Sequence, residues 1–146
     1  DQASDRAVID WIKHHARSLI FSAAPPPASV ASVIKALEVI EREPERRARL
    51  WENTRYMKRE LENLGYNTGA SQSPVIPLAV GEDMTAFRMT MRLQEEGVFV
   101  NPVITPAVPP DRAMIRTSYM ATHTRDHLDR ALAAIAKVGR ELGVIR

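Results

Sequence analysis

The chain has 146 residues, of which 45% are hydrophobic and 26% charged, with a net charge of +2 and no cysteine. These are the values of a globular chain long enough to enclose a core, and they exclude intrinsic disorder, a disulfide framework, thiolate catalysis and Cys-based zinc sites. Aromatics make up only 5% and the slight arginine excess is spread along the chain, so nucleic acid is not an expected partner. No apolar stretch approaches the roughly 18 residues of a membrane span. Asp1 to Arg6 is acidic and carries no apolar segment behind it, which is unlike a signal peptide. The missing cysteines fit a reducing compartment, and a cytoplasmic location is expected. The first residue is not methionine and a helix is predicted almost at once, so the chain is expected to be cut from something longer.

In chain order, Ser4 or Asp5 is expected to cap a helix carrying Val8, Ile9, Trp11 and Ile12 that fades near Arg17. A short apolar run, Ser18-Leu-Ile-Phe-Ser22, leads into Ala23-Ala-Pro-Pro-Pro27, which is expected to be a fixed extended connection. Ser29 is expected to restart a helix with Val30, Val33, Ile34, Leu37 and Ile40 at helical spacing, broken or kinked at Pro44. Glu45 is expected to open a long helix whose stripe is Leu50, Thr54, Met57, Leu61 and Leu64, ended by Gly65. Tyr66 to Ser73 reads as a short strand or turn. Pro74 to Val80 reads as a strand whose two prolines suggest an edge position or an irregular start. Asp83 is expected to cap a helix running to Glu96, stopped by Gly97. Val98 to Asn101 and Ala113 to Ser118 are predicted strands, separated by a proline-rich loop. Thr122 or Thr124 caps a last helix with Leu128, Leu132, Ile135 and Leu142 on one face. This order predicts an α+β fold, a small mixed or antiparallel sheet with helices packed on one face.

The chain holds no self-contained catalytic constellation. A nucleotide P-loop, a dinucleotide fingerprint and a nucleophile elbow are all missing from it. His123 and His127 stand four apart, but no H-E-x-x-H pattern accompanies them and no metal site is expected. One local feature carries chemistry. Arg116 lies inside the apolar strand Met114-Ile-Arg-Thr-Ser118, just before a helix. It is either a surface arginine on the open face of the sheet or a guanidinium fork aimed at a carboxylate.

The segment Leu19-Ile-Phe-Ser-Ala-Ala-Pro-Pro-Pro27 and the stretch Ile115-Arg-Thr-Ser-Tyr-Met-Ala-Thr-His-Thr124 resemble two signatures of the α-oxoamine synthases. Glu95 to Pro109 resembles the family's approach to the arginine, and the Gly-Val-Ile ending of the tail fits as well. The resemblance spans nearly the whole chain and is greatest to bacterial serine palmitoyltransferase-like members. It implies the C-terminal domain of a fold-type-I enzyme that joins an amino acid to an acyl-CoA, with pyridoxal phosphate (PLP) as cofactor, working as a homodimer. Residues 1–28 would then be the end of the large-domain region and the interdomain connection, and residues 29–146 the small domain.

By the same resemblance, Arg116 binds the amino-acid carboxylate, and the loop Thr105-Pro106-Ala107-Val108 carries it toward the site. Rigid spacing by the prolines explains that loop equally well. Ser22 matches a hydroxyl that reaches the cofactor phosphate of the other subunit; satisfying a turn is its alternative role. Ala23 and Ala24 follow it, where many members carry a further Ser or Thr. The family's cofactor-binding lysine has no counterpart among Lys13, Lys35, Lys58 and Lys137, so the chain alone is expected to be inactive. Two other readings are a free-standing, non-catalytic interaction or regulatory module and the C-terminal domain of an ordinary aminotransferase.

Overall fold

The computed structural model describes residues 4–146. It divides the chain into two compact units, Asp1–Arg42 and Glu43–Arg146.

The first unit holds α1 (Arg6–His15), α2 (Arg17–Ile20) and α3 (Pro27–Arg42). Asp5 caps α1, its carboxylate accepting the Ala7 N–H at 2.9 Å. The apolar run before the prolines winds into the single turn α2. Pro25 and Pro26 stay outside regular structure, as expected, but α3 begins at Pro27 and not at Ser29. The ring of Pro27 fixes a helical φ, and its missing N–H falls where a helix has no partner for one. None of this unit's described residues is buried. The α3 stripe of Val30, Val33, Ile34, Leu37 and Ile40 is exposed throughout.

The second unit contains α4 (Pro44–Asn63), β1 (Val75–Gly81), α5 (Asp83–Glu95), β2 (Asn101–Val103), β3 (Ala113–Ser118) and α6 (Arg125–Glu141). Its sheet is antiparallel with order β1-β3-β2, which puts both proline-bearing strands at the edges and β3 in the middle. The α+β expectation holds. Alternation along β3 turns Ala113, Ile115 and Thr117 inward, while Arg116 and Ser118 are exposed. The inward residues meet Ile76 and Leu78 of β1, Met89 and Leu93 of α5, and Ile135 and Val138 of α6 in one core. α5 packs across all three strands, and α6 packs on α5 and α4. Met57 and Leu61, from the predicted α4 stripe, are fully buried.

Three boundaries differ from expectation for identifiable reasons. Pro44 itself is the first residue of α4, again the position a proline tolerates. Asp83 is not a cap. Glu82 holds the cap position without a side-chain bond, while the Asp83 carboxylate accepts the Thr105 N–H at 3.3 Å. The strand predicted over 98–101 starts only at Asn101. Gly97, at φ +80°, closes α5 by donating to Gln94 O, and the Val98 N–H donates to Leu93 O at 2.8 Å. That paired closure uses the backbone that the strand would have needed.

Candidate functional site

Arg116 sits at the middle of β3, with Pro77 of β1 and Asn101 of β2 as its register partners. Its guanidinium has no ion-pair or hydrogen-bond partner among the described residues. A planar fork of donors on a central strand, held rigid by pairing on both sides, presents a fixed target for a carboxylate or phosphate.

Arg116 lines a cleft of about 680 Å³ between the α5–β2 connection, the end of β3 and the first turns of α6. Asn101, Ser118, His123, His127 and Arg130 are its other polar residues of interest, and Phe99, Val100 and Met120 supply apolar wall. Its one acid is Glu96. That carboxylate accepts from Lys137 Nζ at 2.7 Å and lies 3.7 Å from Arg92. The Lys137 hydrogen bond holds its pKa below the usual carboxylate value. Glu96 is therefore neutralised from outside, and the cleft is left cationic.

The wall after β3 is held by groups of three different elements. Thr117 donates its hydroxyl to Ile76 O at 2.8 Å and lies 2.9 Å from the Tyr119 hydroxyl. Burial pushes the Tyr119 pKa up to about 12. The Tyr119 N–H donates to Pro74 O. From α4, the Asn53 side-chain amide donates to both Met120 O and His123 O, each at 3.0 Å. His123 Nδ1 accepts the Met120 N–H, and His127 Nδ1 accepts the Thr124 N–H, both at 3.3 Å. Thr124 Oγ1 accepts from the His127 N–H in return, a reciprocal cap on α6 with histidine where Glu or Gln is usual. The two histidines thus order the turn that carries the cleft wall, and in these bonds each keeps its proton on Nε2.

The remaining expected site residues lie elsewhere. Thr105, Pro106 and Ala107 form an exposed turn after β2, outside the cleft lining, with a cis Thr105–Pro106 peptide and Ala107 N–H donating to Ile104 O. Ser22 belongs to the first unit. Its hydroxyl donates to Leu19 O at 2.7 Å, which spends its one proton on closing the turn after α2. The four lysines all lie in helices and all have local partners: Lys13 with Asp10, Lys35 with Glu38, Lys58 with Ser71 O, and Lys137 with Glu96. These residues do not by themselves make a PLP site.

Sequence reasoning singled out Arg116, which lines the cleft, but not the cleft-lining Phe99 and Met120 or the Asn53 that holds the turn beside them. Nothing in the spacing of α4 separates Asn53 from any solvated helix residue, since its partners are 67 and 70 residues away. The Thr124–His127 cap was legible as a cap, though the histidine's share in it was hidden by residue type.

Comparison with known proteins matches the sequence model of "Aminotransferase class I and II" over residues 2–135. The 8-amino-7-oxononanoate synthase of Symbiobacterium thermophilum is 49% identical over 98% of this chain and 36% of its own length. A serine palmitoyltransferase of Sphingobacterium spiritivorum is 48% identical over 95% of this chain and 35% of its own. Among solved structures, the Sphingomonas wittichii serine palmitoyltransferase is 27% identical with a TM-score of 0.82, covering 99% of this chain and 37% of that one. The chain thus spans about a third of the length of the relatives it matches, and its fold is that of the C-terminal part of a fold-type-I PLP enzyme. Family model, relatives and fold agree: the chain belongs to the aminotransferase class I and II family, among relatives that are α-oxoamine synthases.

Proposed function

We propose that this chain is the C-terminal part of a PLP-dependent acyl-CoA:amino acid C-acyltransferase, in which Arg116 binds the carboxylate of the amino-acid substrate. The observation that carries this reading is an unpaired guanidinium on a central strand, opening into a cationic cleft. The names of the relatives favour acyl transfer over amino transfer: one is a palmitoyltransferase, the other a synthase, and neither is named an aminotransferase. The cofactor, held chiefly by residues outside this chain, would supply the electron sink at the amino acid's Cα. Arg116 contributes orientation. Two parallel N–H donors fix the carboxylate plane and so determine which Cα bond faces the cofactor.

Residues 1–28 would belong with the large domain and the connection to it, and residues 29–146 with the small domain. The Thr105–Ala107 turn, tied through its backbone to Asp83, would carry Arg116 toward the substrate. Ser22 would serve the cofactor phosphate of a neighbouring subunit in a cytoplasmic homodimer. For that its hydroxyl has to rotate away from Leu19 O, since a phosphate needs the proton now donated there.

The test is Arg116→Lys in the complete, PLP-loaded enzyme. A point charge replaces the fork, and amino-acid Kd from a titration of cofactor absorbance should rise by about 10- to 100-fold. An unchanged Kd refutes the assignment.

A further inference from the structure

The strand that carries Arg116 leaves the sheet unevenly. On the β2 side its pairing ends at Arg116, opposite Asn101. On the β1 side it continues through Thr117 and Ser118, and the Tyr119 N–H then donates to Pro74 O at 3.1 Å. Arg116 is thus the last residue of β3 to be paired on both sides. A guanidinium at such a place keeps its aim only if the chain beyond it is fixed by another element.

That element is α4. Met57 and Leu61 root the helix in the core with no exposed surface, and Asn53 stands one turn before Met57 on the same face. Its side-chain nitrogen carries two protons and uses both, one on Met120 O and one on His123 O, each at 3.0 Å. Both partners are acceptors, so the nitrogen of the amide, not its oxygen, must face them. The same two residues are joined from within, the His123 N–H donating to Met120 O at 3.3 Å. Asn53 therefore clamps both ends of the turn that leads from the strand of Arg116 to Thr124, the cap of α6.

Resting on the function proposed above, we infer that Asn53 is a positioning residue for Arg116. By tying the turn over 120–123 to α4, it sets the height and angle at which the fork meets the substrate carboxylate. It acts through the chain that follows the strand, not by contact with the amino acid. A small error in the placement of the fork is costly, because bidentate bonding needs both donors at once. Releasing the clamp weakens carboxylate binding in particular, whereas general damage to the fold would weaken every ligand of the cofactor alike.

The complete, PLP-loaded enzyme is titrated by cofactor absorbance with glycine, L-alanine and L-serine. Methylamine, ethylamine and ethanolamine, their counterparts without the carboxylate, are titrated beside them. For the amino acid that the parent binds best, Asn53→Ala should raise Kd about fivefold and leave the matching amine within about twofold. Asn53→Ser, which keeps one hydroxyl proton in place of two amide protons, should give the same selective loss at about threefold, and it carries the test if Asn53→Ala does not load cofactor. In an Arg116→Lys background the Asn53 change should add less than about twofold, because the fork it aims is gone. Equal losses for amino acid and amine, or no loss for either, overturn the inference, as does an undiminished loss on top of Arg116→Lys. The Arg116→Lys variant alone separates the two readings. If it weakens the amino acid while the Asn53 variants do not, the positioning role fails and the carboxylate role stands. If it has no effect, the carboxylate role fails and the positioning role falls with it.

Discussion

Gly139 gives the sharpest test of the packing described above. It lies inside α6, and an ideal Cβ built there would stand 1.9 Å from Tyr66 Oη, 2.9 Å from Cζ and 3.1 Å from Ile145 Cγ1. Ordinary contact begins near 3.4 Å, so the Tyr66 ring would have to retreat by some 1.5 Å. Tyr66 is only 4% exposed, and its hydroxyl donates to Ile135 O at 2.8 Å. The retreat would break that bond inside the core. For Gly139→Ala, a buried hydroxyl stripped of its acceptor costs about 1–3 kcal/mol. Overpacking adds about 1–3 kcal/mol, and the better helix propensity of alanine returns about 1 kcal/mol. The net expectation is a destabilisation of about 3 kcal/mol, or a Tm lowered by roughly 10 °C. Urea unfolding of the chain followed by circular dichroism measures it. Adding Tyr66→Phe removes the closest atom, so the double variant should lose clearly less than the sum of the two single changes. A Gly139→Ala chain as stable as the parent would mean that Tyr66 does not cross α6 at this point, and the argument would fail.

Three further outcomes can be checked on the same material. Asn53→Ala removes the donor shared by Met120 O and His123 O, so stability should fall by about 1–2 kcal/mol and hydrogen exchange should rise in the turn over 119–124. Thr124→Ala should cost about 1 kcal/mol by uncapping α6, seen as a lower urea midpoint with an unchanged slope. Burial raises the pKa of Tyr119 to about 12 and that of Tyr66 further still, against about 10 in an unfolded chain. The folded state then holds protons that the unfolded state has released, so stability should be flat below about pH 10 and fall between about 10 and 12. Tyrosinate absorbance should lag behind that of a denatured sample. Simultaneous ionisation of all three tyrosines at the unfolded value would contradict the burial.

The elements of the second unit could be read from the sequence because local signals agreed with the tertiary result. The α4 stripe, the alternation in β3 and the face of α6 each mark a surface that the core then covers. Edges were harder to read. Whether Val98 extends a strand or closes a helix depends on Gly97 adopting a left-handed conformation, and the apolar run Val98-Phe-Val100 gives no hint of it. Asp83 looks like a cap until Thr105, 22 residues later, takes its carboxylate. Arg116 stood out as a charge within an apolar strand. The cleft around it did not, because its walls come from α4, the α5–β2 connection, β3 and α6, and no spacing in one chain segment encodes their meeting.

The two edge strands of the sheet each contain a proline, Pro77 in β1 and Pro102 in β2. Neither can give a newcomer a complete row of N–H donors, so lengthening the sheet from either side meets a missing bond. A three-stranded sheet with unpaired edges is otherwise a template for stray pairing between molecules. The prolines deny the sheet's rims to other chains, so Arg116 can stand exposed on the face without the edges becoming a nucleus for aggregation.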